Sequence, residues 1–170
     1  AIEKFSIVKS LQAIEASHVV IMLLDGQANV MDQDLKLIDF VIETGKALVI
    51  AVNKWDGIST DQRKQIRNEL ARRLFFADFA ETYFISALHG SKVGNLFTAV
   101  QKAFQCASKE HPTHTLSTLL EKAIATHNPP LVNGRRIKLR YAHMGGHHPP
   151  TIIIHGNQTH ALPEDYRRYL

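Results

Sequence analysis

Apolar positions along the first two thirds of the chain alternate between two rhythms. Ala47 to Val52, ALVIAV, is an unbroken apolar run. Its length and β-branched content predict a strand buried on both faces, as in parallel sheets. His18 to Leu24 predicts a second such strand, closed by the turn pair Asp25-Gly26, and Thr82 to Ser86 predicts a third. Between them the apolar spacing changes to three and four, which predicts helices. Glu3 to Ser17 carries Phe5, Val8, Leu11, Gln12 and Ile14, with Ile7 and Ala13 adjoining. Asp32 to Thr44 carries Leu35, Ile38, Val41 and Ile42 on one face, and Gly45 is placed to stop it. Ser59 to Leu74 has a strongly charged outer face and Ser59 or Thr60 as its expected N-cap. Val93 to Ala107 carries Val93, Leu96, Phe97, Val100 and Phe104. Strands alternating with helices predict right-handed crossovers and a parallel sheet covered on both faces, an α/β domain.

From Thr113 the pattern changes. Thr115 or Ser117 opens a helix with Leu116, Leu119, Leu120, Ala123 and Ile124, ending before Asn128-Pro129-Pro130. Arg135 to Tyr141 alternates basic with apolar or aromatic residues, which predicts a strand with one buried and one positive face. Arg136, Lys138 and Arg140 share the positive face in that reading, while Ile137, Leu139 and Tyr141 pack on the helix of residues 115–127. Met144 to Pro150 reads as a turn, Thr151 to His155 as a hairpin partner, and Pro163 to Leu170 as a final helix with Arg167 and Arg168 on it.

Composition sharpens this division. The chain has 170 residues, room for one good domain and a small one. Residues 1–110 hold 13 Lys+Arg and 13 Asp+Glu, whereas residues 111–170 hold 7 and 3, together with eight of the ten histidines. A boundary is therefore expected near His111-Pro112, giving domains 1–110 and 111–170, and the basic second part points to an anionic partner or to a merely soluble basic surface. No apolar run approaches the roughly 20 residues needed to span a bilayer, and no signal peptide is evident. The expectation is a cytoplasmic protein with no membrane partner. The single cysteine, Cys106, excludes an internal disulfide and any cysteine-based zinc site.

The candidate chemistry lies at the carboxyl ends of the predicted strands, where open α/β sheets bind ligands. Asn53-Lys54-Trp55-Asp56 follows the Ala47–Val52 run, and Asn-Lys-x-Asp at that place resembles the guanine-recognition motif of the P-loop GTPases. A carboxylate such as Asp56 can accept from both guanine N1–H and the exocyclic amino group. Lys54 can lay its methylenes along the base, and Asn53 can tie neighbouring loops together. The plainer alternative is a strand-ending turn of ordinary polar residues. Ser86-Ala87-Leu88 follows the third strand and resembles the second guanine loop of the same class, in which the backbone N–H of Ala87 would reach guanine O6. The histidines at 143, 147, 148 and 155 raise a metal reading. Adjacent His147 and His148 would point apart in an extended chain, no carboxylate lies near in sequence, and no metal site is expected. Asp25 and Asp32 read as a turn residue and a helix cap rather than catalytic acids.

Longer stretches resemble one family, the bacterial tandem-domain GTPases called Der or EngA. They include Glu3-Lys4-Phe5-Ser6, VNKWDG (52–57), FISALHG (84–90), VGNLF (93–97), KLRYAH (138–143), PPTIIIHGNQ (149–158) and YRRYL (166–170). The resemblance implies a partial P-loop GTPase domain followed by a small α+β KH-like domain, matching the family from just after switch II of its second GTPase domain. It implies a protein that binds GTP and GDP, with Mg²⁺ in the intact protein, and that acts in ribosome biogenesis on the large ribosomal subunit and its rRNA, expected as a monomer. The guanine-binding residues it implies are Asn53, Lys54, Asp56, Ser86, Ala87 and Leu88. Arg135, Arg136, Lys138, Arg140, Arg167 and Arg168 are the expected RNA or domain contacts.

Parts of the family pattern are missing. Hydrolysis needs G-x-x-x-x-G-K-[S/T] to hold the phosphates. Gly45-Lys46 is the one Gly-Lys pair, Ala47 follows it, and Phe40 stands where the first glycine belongs. No Asp-x-x-Gly opens the chain. By analogy both motifs lie upstream of Ala1, so a fragment is expected, with no catalytic residue and no hydrolysis of its own. The second domain lacks the GxxG loop with which KH modules clamp nucleotides, and the family's final strand is expected beyond Leu170. The alternative reading is an rRNA-binding or interaction module with a non-functional nucleotide site.

Overall fold

A computed structural model of the chain describes residues 2–132, 134–147 and 149–170, with side chains from residue 7 onward. The expected packing of Phe5 lies outside the described side chains. The chain divides into two compact units, Ala1–Ser108 and Lys109–Leu170. None of the described helices is long and apolar enough to cross a membrane.

The first unit is an α/β layer structure. Its strands β1 (Val19–Asp25), β2 (Ala47–Asn53) and β3 (Glu81–Phe84) form one parallel sheet with β2 in the middle. The central position explains why ALVIAV has no polar residue: Leu48, Val49, Ile50, Ala51 and Val52 are all buried. Alternate residues face opposite sides. Leu48, Ile50 and Val52 pack with Ile38 and Val41 of α2 (Asp32–Glu43) and Leu70 of α3 (Thr60–Arg73). Val49 and Ala51 pack with Leu96 and Ala99 of α4 (Gly94–Ala107). Each fully buried aliphatic side chain contributes about 1.5–3 kcal/mol relative to exposure, so this strand is a principal source of the unit's stability.

The helix ends follow from local chemistry. Ser59 caps α3, its hydroxyl accepting from the Gln62 N–H at 3.4 Å while Gln62 Oε1 accepts from the Ser59 N–H at 3.2 Å. Asp32 is not the cap of α2 but its first residue, after Met31. Its Oδ1 accepts from Arg73 Nη2 at 2.5 Å, which joins the start of α2 to the end of α3.

Two helical faces differ from the periodicity. In α1 (Ile2–Ala16) Ile14 is buried, but Ile7 and Val8 are exposed. In α4, Phe97 and Phe104 are exposed, and the buried stripe runs through Leu96 and Ala99, with Val93 and Ala103 beside it. The small alanines let the helix approach the sheet, and the bulky aromatics fall one position outside the contact. The third strand also ends earlier than its apolar run, at Phe84. Ile85 then donates to Val52 O at 2.9 Å and accepts from the Trp55 N–H at 3.0 Å, while Ser86 bridges to Ser91.

The second unit joins α5 (Thr113–Thr126) to an antiparallel hairpin of β6 (Lys138–His147) and β7 (Pro150–Asn157). A small β4–β5 pair (Leu131–Val132 with Arg135–Arg136) and α6 (Glu164–Tyr169) complete it. Arg135–Tyr141 is not one strand. It breaks at Ile137, which is buried with Leu162 and with Tyr166 of α6 instead of reaching α5. The expected Met144–Pro150 turn is mostly strand, since β6 continues to His147. A register shift between Leu139 and Tyr141 leaves Arg140 unpaired. That one-residue bulge reverses the faces. Leu139, Ala142 and Met144 turn inward toward Leu116 and Leu120 of α5, and Tyr141 is exposed rather than packed on the helix.

Candidate functional site

Three loops meet at the carboxyl ends of β1, β2 and β3. The middle one is built around Trp55, the residue the motif leaves undefined. Trp55 is buried, its ring lies 4.2 Å from that of Phe84, and the guanidinium groups of Arg63 and Arg67 lie over it at 5.6 and 5.7 Å. The indole thus anchors the short 3-10 turn Trp55–Gly57 and leaves its neighbours to face outward. Lys54 takes the left-handed conformation, with φ 62°, to enter that turn.

Each polar residue of the motif has a defined partner. Asn53 Oδ1 accepts from the Ala87 N–H at 2.9 Å, joining the loop after β2 to the loop after β3. That amide proton, expected to reach a base oxygen, is therefore engaged by Asn53 here. Lys54 Nζ donates to Asp25 Oδ2 at 2.6 Å. The lysine side chain is half-exposed and its ammonium is held at the end of β1. Lys54 is in turn the main cause holding the Asp25 carboxyl below the ordinary range, with the Gln27 N–H assisting. Gly26 closes the first loop by donating to Asn53 O at 2.9 Å, and a Cβ there would lie 2.7 Å from that same oxygen.

Asp56 carries the candidate base contact. Its carboxyl is held below its ordinary value first by the hydroxyl of buried Ser86, then by its own backbone N–H, with His89 adding a smaller effect. His89 Nε2 lies 3.3 Å from Asp56 Oδ2. Ser86 thus acts through Asp56 from beneath the surface, whereas Leu88 is exposed beside it. Asn53, Lys54, Asp56, Ser86 and Ala87 come together at one edge of the sheet. The motif alone did not point to Asp25, His89 or the anchoring role of Trp55. Asp25 ends an apolar strand before a glycine, a signal that could have placed it at this edge.

The basic residues of the second unit are distributed differently from their sequence spacing. Arg135 and Arg136 sit on the β4–β5 pair, Lys138 and Arg140 on β6, and Arg167 and Arg168 on α6; all six are exposed. Arg136 Nη1 donates to Asn128 Oδ1 at 3.4 Å, and Arg167 pairs with Glu164 at 3.9 Å. Among the described residues no set of three or more metal-ligating side chains forms. Glu110 does approach one of them, with Oε1 3.7 Å from His147 Nε2, a carboxylate that sequence distance concealed. His148 lies outside the described residues.

A parallel sheet with helices on both faces and an Asn-Lys-x-Asp loop at its carboxyl edge define a GTP-binding domain. The model of the elongation factor Tu GTP binding domain matches residues 6–106. The KH-domain-like region at the C-terminus of EngA bacterial GTPase enzymes matches residues 111–170. GTPase Der of Hahella chejuensis is 56% identical over 170 residues, which is 100% of this chain and 36% of that protein. GTPase Der of Azotobacter vinelandii is 59% identical over 170 residues, again 100% of this chain and 35% of the relative. The chain belongs to the Der (EngA) family of bacterial GTPases, and it spans about a third of the length of the curated relatives it matches. Among solved structures, a bacterial selenocysteine-specific elongation factor superposes with a TM-score of 0.51 at 17% identity, over 57% of this chain and 17% of that one, a likeness of fold.

Proposed function

We propose that these residues form the base-recognition half of a guanine-nucleotide site in a GTPase that acts in assembly of the large ribosomal subunit in the cytoplasm. The observation that carries the reading is Asp56. Its carboxylate is exposed at the sheet edge and kept ionised by Ser86, beside a loop that Asn53 pins. Such a group suits guanine, which offers two adjacent donors. Adenine would set a lone pair against it, and sites of this kind reject analogues lacking the donor by roughly 10⁴-fold. Lys54, tethered to Asp25, presents its methylenes beside the same edge, and Ala87 with Leu88 completes the rim. The phosphate and Mg²⁺ half of such a site does not fit the residues present. These 170 residues contain no G-x-x-x-x-G-K-[S/T], and no group of three candidate ligands forms among the described residues. No hydrolytic step is assigned to them.

In a version of the protein carrying a phosphate-binding loop, Asp56→Asn is expected to weaken GDP and to admit xanthosine diphosphate, whose 2-oxo group can accept from the new amide. Isothermal titration with both nucleotides tests this. Unchanged GDP affinity in the variant removes Asp56 from the site.

The second unit supports a companion reading as an rRNA contact. Its eight exposed arginines and lysines outnumber its four acidic residues, which favours an anionic partner. That role is compatible with the alternative in which the nucleotide site is non-functional and the chain serves only as an interaction module.

A further inference from the structure

The outer face of the β6–β7 hairpin carries three rings that the guanine site does not use. Tyr141 and His143 lie two residues apart on β6, and His155 sits opposite Tyr141 on β7. The Tyr141 and His155 rings are 4.4 Å apart and within 7° of parallel, and His143 lies beside His155, 5.0 Å and 21° from it and 6.2 Å from Tyr141. His143 Nδ1 lies 2.8 Å from Met144 O, an acceptor, so that nitrogen carries the proton. In the neutral ring Nε2 then accepts from His155 Nε2 at 2.9 Å. His143 is thus held through both ring nitrogens, and its bond to His155 fixes the ring that backs Tyr141.

One side of this stack is open. His155 covers the Tyr141 face turned toward β7, and β6 pairs only with β7 among the described strands, so the other face of the phenol looks past the edge of the hairpin. Tyr141 is 43% exposed. The bulge adds charge at this place. Leu139 and Ala142 both turn inward, so the two residues between them, Arg140 and Tyr141, share the outer face, and Lys138 precedes them on the same side. A fixed ring stack with a free end, next to two exposed cations, has the composition of single-strand nucleic-acid sites: a surface for a base and charges for its flanking phosphates.

We infer that the free face of Tyr141, backed by His155, which His143 holds in place, stacks an unpaired base of a single-stranded RNA segment whose phosphates lie on Arg140 and Lys138. This rests on the reading of the second unit as an RNA contact and gives it a substrate class, unpaired RNA rather than duplex. No GxxG loop is needed.

Fluorescence anisotropy of the 170-residue chain with a labelled oligouridylate of about twelve nucleotides tests it, alongside an RNA duplex of equal length and the deoxy oligomer. Tyr141→Leu is expected to lower oligouridylate affinity about tenfold or more, the range of one base–aromatic stack, at every salt concentration. Tyr141→Phe should retain the parent affinity. Arg140→Gln with Lys138→Gln should instead flatten the log–log salt slope by about 0.7 for each lost phosphate contact. If Tyr141→Leu lowers the melting temperature but binds like the parent, the rings merely stabilise the hairpin and the stacking site is overturned, while the basic contact stands on its slope. If neither set of variants alters binding, both fall. Duplex bound as tightly as the single strand overturns the stack, and preference for the deoxy oligomer overturns RNA as the source of the base. Should Tyr141→Leu not fold, the parent decides: the Tyr141 and His155 ring protons must shift upfield as oligouridylate is added, and unmoved resonances at saturation defeat the proposal.

Discussion

At the scale of single residues, Asp56 illustrates how position changes chemistry. An aspartate in a strand-ending turn would titrate as an ordinary surface group. Here the hydroxyl of buried Ser86 donates to it and lowers its pKa from the ordinary 3.8, with its own N–H and His89 adding to the effect. A carboxyl depressed in the folded state adds stability above its unfolded value, and that contribution is lost as pH falls through the folded value. Asp56→Asn is therefore expected to lower the thermal midpoint near neutral pH, and the gap to the parent should close as the pH falls below the ordinary carboxylate value. Differential scanning calorimetry across that range measures it, and a gap of constant size would show that the carboxylate charge contributes nothing. The Asp25 carboxyl is likewise held low, chiefly by Lys54. Removing that carboxylate by Asp25→Asn frees the ammonium, and because the salt bridge it breaks is half-exposed the thermal midpoint should barely move.

At the scale of elements, the β6–β7 hairpin shows why close approach needs glycine at one point and merely tolerates it at another. A Cβ on Gly156 would press into the Lys138 carbonyl oxygen and lie 3.1 Å from Leu139 Cα, both backbone atoms that cannot step aside without disturbing the ladder. A Cβ on Gly145 would instead meet Cδ1 and Cγ1 of Ile153, side-chain atoms that move with its rotamer. Gly156→Ala is expected to cost about 1–3 kcal/mol and Gly145→Ala less, in urea unfolding of the two variants. Equal losses would mean that the Ile153 contact is as rigid as the backbone one. The bulge at Arg140 belongs to this scale too, since it decides which residues of β6 face outward, and no single side chain could have announced it.

The two units of the molecule differ in chemistry as well as in fold. The first has balanced charge and a central apolar strand; the second is basic and carries most of the histidines. Phosphates supply most nucleotide affinity in P-loop proteins, and none of these 170 residues forms the loop that holds them. The chain by itself is therefore expected to bind guanine nucleotides weakly and to show no measurable GTP turnover. Phosphate release from the purified chain above that of its heat-denatured form would contradict the assignment of this chain to base recognition alone.

Much was legible before any tertiary contact was considered. A strand buried on both faces favours an unbroken apolar run, so ALVIAV was readable as such a strand, and the polar residues that follow it were readable as its carboxyl end. Helix ends were readable where a local bond closes them, as with Ser59 and Gln62. Tertiary packing decided the rest. Phe97 and Tyr141 have the right spacing for burial but lie outside, because the approach of α4 is set by alanines and the faces of β6 are reversed by a bulge. Asp25, Lys54, Ser86 and His89 acquire their roles from partners far away in sequence. Periodicity reports which side of an element is apolar, whereas register and the approach of neighbouring elements depend on contacts that only the folded chain brings together.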